Sequence, residues 1–81
     1  MTIRVLLFAS LAAQVGERQL TLDLPESVTV ADALDTLAEK FPEIAFMRCN
    51  LAAAVNHSYA AGSHRLSAGD ELALIPPVSG G

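Results

Sequence analysis

The chain has 81 residues and a mass of 8.5 kDa, the size of one domain and too small for separate substrate and cofactor lobes around a deep pocket. Apolar residues make up 52% of it, but 14 residues are alanine, so Leu, Val, Ile and Phe must supply an adequate rather than a generous core. Five Lys/Arg against nine Asp/Glu leave a net charge of −4, which removes the basic footprint that a nucleic-acid binder needs.

Residues 2–9 read as a strand, with Ile3, Val5 and Leu7 on one face and Thr2, Arg4, Leu6 and Phe8 on the other. One Arg followed by an apolar run imitates a signal peptide. That reading fails because Arg4 is the only charge before a run that alternates and is soon broken by Gln14 and Gly16. Residues 10–15 suit at most a helical turn or two before a reversal at Gly16. In residues 19–24, Leu20, Leu22 and Leu24 alternate with Gln19, Thr21 and Asp23, a second strand and a partner for the first.

Pro25-Glu26-Ser27 ends that strand, and Thr29 with Asp32 three residues on is an N-cap signature. Val30, Ala33, Leu34, Leu37, Ala38 and Phe41 then recur at helical spacing opposite Asp32, Asp35, Thr36, Glu39 and Lys40, and Pro42 marks the end. Residues 43–50 carry no firm period and are expected to be loop or short turn. Residues 51–55 read as an Ala-rich strand, Asn56-His57-Ser58 as a reversal into a short strand at Tyr59, and residues 66–70 as a turn. Residues 71–75 are the last strand, with Leu72 and Leu74 inward and Glu71, Ala73 and Ile75 outward.

Strand, strand, helix, strand, short strand, strand is the β-grasp order. The expectation is an α+β, ubiquitin-like fold: a mixed sheet of about five strands on one main helix, with the first and last strands side by side in the centre. The β-grasp domain spans residues 1–75, and residues 76–81 form an extended tail ending in Gly-Gly. Phe8 and Ile75 share the outward parity of strands expected to be adjacent, and Tyr59 joins them in an apolar partner surface beside the tail's exit. The alternative is that these side chains cover a second small core under residues 43–50.

The sequence after the last strand is Pro76-Pro77-Val78-Ser79-Gly80-Gly81. The two prolines cannot donate to a ladder and favour extended backbone, which sends the tail away from the domain. At ~3.1 to 3.6 Å per residue its reach is on the order of 20 Å, enough to enter a channel on another protein. Gly80 and Gly81 lack side chains, so a terminal carboxylate can pass through a narrow passage. A carboxylate is a poor electrophile, and its useful chemistry begins with ATP-dependent activation to an acyl adenylate. Attack by a sulfide equivalent then gives a thiocarboxylate, and attack by an amine gives an isopeptide.

Leu51-Ala52-Ala53-Ala54-Val55-Asn56, Leu66-Ser67-Ala68-Gly69-Asp70-Glu71-Leu72-Ala73 and above all Pro76-Pro77-Val78-Ser79-Gly80-Gly81 resemble the small subunits of molybdopterin synthase, the MoaD-type sulfur carriers. The resemblance implies a non-catalytic, sulfur-donating subunit. In that family the C-terminal glycine, here Gly81, is adenylated by a ubiquitin-activating-like adenylyltransferase that uses ATP. It is then converted to a thiocarboxylate by a sulfur donor and inserted into the large subunit of a heterotetramer. There, two sulfurs delivered to cyclic pyranopterin monophosphate make the dithiolene that later holds molybdenum. Gly80 and Gly81 would carry the chemistry, and Phe8, Tyr59, Ile75, Pro76, Pro77, Val78 and Ser79 would meet partners. No cofactor or metal would be bound by the chain.

His57, His64 and Cys49 tempt as a metal site but are too few and too widely spaced. Lone Cys49 excludes an intrachain disulfide and suits a reducing cytoplasm. No apolar stretch approaches the ~18 residues that span a bilayer, so the expected location is cytoplasmic, without membrane contact. Adjacent Asp70 and Glu71 point to opposite faces of a strand and cannot pair as acid and base. Competing readings are a thiazole-pathway sulfur carrier, a protein modifier joined through Gly81 to target lysines, and a plain binding module.

Overall fold

A computed structural model describes residues 1–77. Strand β1 (Thr2–Leu7) is followed by helix α1 (Ala9–Val15), strand β2 (Gln19–Asp23), helices α2 (Val30–Lys40) and α3 (Pro42–Met47), and a 3-10 turn at Arg48–Asn50. Strands β3 (Ala52–Val55), β4 (Ser58–Tyr59) and β5 (Glu71–Ile75) complete the chain order. They form one mixed sheet in the order β2-β1-β5-β3-β4, with β1 and β5 parallel at its centre and the remaining neighbours antiparallel. This is the ubiquitin-like β-grasp arrangement expected from the element order.

Period-two patterning decides which face is buried. Ile3, Val5 and Leu7 of β1 and Leu72 and Leu74 of β5 turn inward and are essentially inaccessible to water. Val30, Ala33 and Leu37 of α2 bury the helix stripe against them. Burial of each such Val, Leu or Ile contributes about 1.5–3 kcal/mol. The start of α2 is fixed by a reciprocal capping box. The Thr29 hydroxyl accepts from the Asp32 N–H at 3.2 Å, and an Asp32 carboxylate oxygen accepts from the Thr29 N–H at 3.0 Å.

Several local expectations change, among them the end of β2, at Asp23 rather than Leu24, and the start of β4, at Ser58 rather than Tyr59. β1 stops at Leu7, and Phe8, expected in the strand, is the extended residue before α1, with φ −120° and ψ 156°. Leu51 precedes β3 rather than opening it. Residues 43–50, expected to be loop, are α3 and the 3-10 turn. Pro42 breaks α2 but occupies the first turn of α3, where its missing N–H costs nothing and its fixed φ suits a helix. α3 buries Ile44 in the common core, and Arg48 pairs with Asp35 to tie the following turn back to α2.

Candidate functional site

The side of the sheet away from α2 divides into a polar end and an apolar end. At the polar end the Arg4 guanidinium donates to Glu71 at 2.9 Å, and Thr2 donates to Asp23 at 2.7 Å. One register step along, Leu6 on β1 lies beside Ala73 on β5, Ala73 beside Ala54 on β3, and Ala54 beside Tyr59 on β4. Ile75 follows on β5, opposite Ala52. Alanine therefore forms the floor of a groove of about 260 Å³, and Leu6, Phe8, Tyr59 and Ile75 form its apolar walls, with His57 and Glu71 at the rim.

The sequence-predicted partner residues Phe8, Tyr59 and Ile75 are thus brought together. Phe8 is 44% exposed and Tyr59 79% exposed, large apolar surfaces facing water. Residues 43–50 do not cover them, because Ile44 packs into the main core instead. Parallel pairing of β1 and β5 sets the end of β1 beside the end of β5, so the groove lies where the chain leaves the sheet. Pro76, expected in the projecting segment, is buried, and Pro77 is exposed. Val78, Ser79, Gly80 and Gly81 lie outside the described residues.

Asp70 and Glu71 diverge as their adjacency requires. Asp70 accepts from the Ser67 N–H at 2.7 Å and from the Asn56 amide at 3.0 Å, while Glu71 takes Arg4 and lies 3.8 Å from the His57 ring. Cys49 is exposed, and among the described residues no three His, Cys, Asp or Glu side chains are grouped to hold a metal ion. Among those residues, too, no helix is long and apolar enough to cross a membrane. The helix cap also perturbs an ionisable group. Asp32 is held below its ordinary value of 3.8 by the Thr29 N–H and secondarily by the Thr29 side chain. A larger concavity of about 690 Å³ between α1 and the β1–β2 end carries Arg18 as its sole charged lining residue. The arrangement is an apolar groove with a polar rim.

Sequence reasoning missed Asn56, whose side chain ties the β3–β4 turn to β5, and Phe46, which is 89% exposed on α3. The Asn56-His57 reversal was the available signal for the first. For the second there was none while residues 43–50 lacked a helical assignment.

A ubiquitin-like domain with an apolar groove at the root of its C-terminal segment defines the class, and the ThiS family profile matches residues 5–81. The chain belongs to the ThiS family. The Molybdopterin synthase sulfur carrier subunit of Arabidopsis thaliana is 42% identical over 79 residues, covering 98% of this chain and 82% of that protein. Small archaeal modifier protein 1 of Haloferax volcanii is 39% identical over 90 residues, covering 93% of this chain and 95% of that protein. The crystal structure of SAMP1 from Haloferax volcanii has a TM-score of 0.87 at 35% identity, with full coverage of both chains. In fold alone, the chain also resembles one in the complex of subunits 1 and 2 of molybdopterin-converting factor from Helicobacter pylori. That match has a TM-score of 0.71 at 21% identity and covers 100% of both chains.

Proposed function

We propose that this chain is the sulfur-carrier subunit of a molybdopterin synthase and works in the cytoplasm. The observation that carries the reading is the apolar groove of Leu6, Phe8, Tyr59 and Ile75 at the root of a segment ending Val78-Ser79-Gly80-Gly81. The relative from Arabidopsis thaliana that bears this name supports it, as does the Helicobacter pylori complex, in which a protein of this fold meets a second subunit.

The groove docks the domain, and the tail enters the partner's active site. Adenylation of the Gly81 carboxylate by a ubiquitin-activating-like adenylyltransferase consumes ATP and releases pyrophosphate. A sulfide equivalent from a sulfur donor attacks the acyl carbon, and AMP leaves with the C–O bond. The thiocarboxylate sulfur forms a C–S bond to the side chain of cyclic pyranopterin monophosphate in the large subunit as an oxygen substituent leaves that carbon. Water then cleaves the acyl C–S bond, leaving sulfur on the pterin and restoring the Gly81 carboxylate. Two such transfers make the dithiolene, which fits a heterotetramer holding two carriers. Gly80 and Gly81, without side chains, fit a narrow passage, and Pro76 and Pro77 hold the exit direction. ATP belongs to the activating partner, and the chain itself binds no cofactor.

Two alternatives have a specific ground each: the ThiS family match admits a thiazole-pathway carrier, and the Haloferax volcanii relative admits a protein modifier. Reconstitution separates them. With the large subunit, adenylyltransferase, ATP and a sulfur donor, the chain is expected to convert the cyclic pterin to the dithiolene product, and the chain lacking Gly80 and Gly81 is expected to convert none. Conversion undiminished by that deletion refutes the carrier role, and conjugates of varied mass on cellular proteins support the modifier.

A further inference from the structure

The turn between β3 and β4 is held by more than its ladder. Val55 pairs with Ser58, leaving Asn56 and His57 as a two-residue loop, both at positive φ (51° and 73°). This is the backbone sense of a type I′ hairpin turn, where asparagine is favoured first and glycine second. His57 occupies the second position against that preference, and β4 contributes only two residues of pairing. A hairpin so short and so strained needs other support to hold one orientation.

Asn56 supplies it. Its backbone N–H donates to the Glu71 carbonyl at 2.9 Å, and its side-chain Oδ1 accepts from the Glu71 N–H at 3.0 Å. Its Nδ2 donates to Asp70 Oδ1 at 3.0 Å, while Asp70 Oδ2 takes the Ser67 N–H. The Asp70 carbonyl in turn accepts from the Arg4 N–H at 3.0 Å, which joins this network to β1. The hairpin is thereby bolted to the central strands at the turn. Three residues further on stands Tyr59, a groove wall opposite Ala54.

We propose that Asn56 is the positioning residue of the partner surface: its two side-chain hydrogen bonds to Asp70 and Glu71 hold the β3–β4 hairpin so that Tyr59 stands over Ala54 in the groove. The proposal rests on the docking role given to that groove above, and deepens it. Asn56 touches no reacting atom, and it acts through Tyr59.

Asn56→Gly is the informative variant, because glycine accepts φ 51° and keeps the turn while both side-chain hydrogen bonds are lost. In NMR spectra of the full chain, Overhauser contacts between the Tyr59 ring and the Ala54 methyl are expected to weaken, while those among Val5, Leu72 and Leu74 persist. Unchanged Tyr59–Ala54 contacts overturn the proposal, whatever the protein binds. Should Asn56→Gly fail to fold, Asn56→Asp keeps the acceptor for Glu71 but removes the donor to Asp70, and the same contacts are expected to weaken.

A binding arm uses the large subunit of molybdopterin synthase from the same organism as the probe. Tyr59→Ala is expected to weaken affinity roughly 30-fold, as for a tyrosine anchor. Asn56→Gly is expected to weaken it about tenfold alone, but by no more than about twofold in the Tyr59→Ala background, because the clamp acts through the ring. An equal loss in both backgrounds contradicts the positioning role. Failure of the unaltered chain to bind removes the proposed function instead, and the NMR contacts then decide the role of Asn56.

Discussion

At His57 the backbone takes a conformation that suits glycine, at a cost of about 1 kcal/mol for a side chain with a Cβ. His57→Gly is therefore expected to raise stability by up to about 1 kcal/mol in urea denaturation, offset in part by the looser unfolded chain. Asp32 is a second residue whose environment sets a measurable property. Its carboxyl is held below the ordinary value by hydrogen bonds formed only in the folded helix cap. The stabilisation is present above the unfolded value and disappears as pH falls through the lower, folded one. The stability difference between the wild type and Asp32→Asn is expected to shrink as the solution is acidified through that range. A difference constant with pH would show that the carboxylate charge does no work there.

Among the elements, α3 is where the sequence was least legible and where the physics is now clearest. A proline after a helical run reads as a stop, and the six residues of α3 are too few to display a period. The same Pro42 also starts α3, with Glu43 in its first turn, and Ile44 is driven into the core by the tertiary packing around it. Ile44→Ala is expected to cost about 2–5 kcal/mol, as for a large side chain removed from a closed core, whereas exposed Phe46→Ala should stay within about 0.5 kcal/mol. Similar small losses at both positions in chemical denaturation would return residues 43–50 to loop. The long elements were legible for the opposite reason: α2 displays a full apolar stripe with a cap, and β1, β2 and β5 alternate cleanly over a central sheet. The site was legible as far as strand parity carries. Parity put Phe8 and Ile75 outward, but the Asn56 clamp depends on side-chain contacts across 14 and 15 residues of chain, which no local pattern encodes.

For the molecule as a whole, the parallel pairing of β1 and β5 is the feature on which the proposed role depends. It brings Phe8 to the point where the chain leaves β5, so the groove and the root of the C-terminal segment lie at one end of the sheet. Phe8→Asp puts a charge into the groove without touching the buried face. It is expected to abolish binding to the large subunit while the folded, unaggregated domain survives. Unfolding of this variant would mean that Phe8 serves the core. The net charge of −4 belongs at this scale too, since it favours partners with basic surfaces.

If Gly81 carries sulfur, as proposed above, high-resolution mass spectrometry of the C-terminal fragment from protein purified out of its own cells reveals it. Exchange of oxygen for sulfur is nearly isobaric with oxidation, so the change must be localised to Gly81 and excluded at Met1 and Met47. A thiocarboxylate is expected at Gly81, and it is expected to disappear when the adenylyltransferase is absent. A free carboxylate alone, even after incubation with the adenylyltransferase, ATP and a sulfur donor, would contradict it.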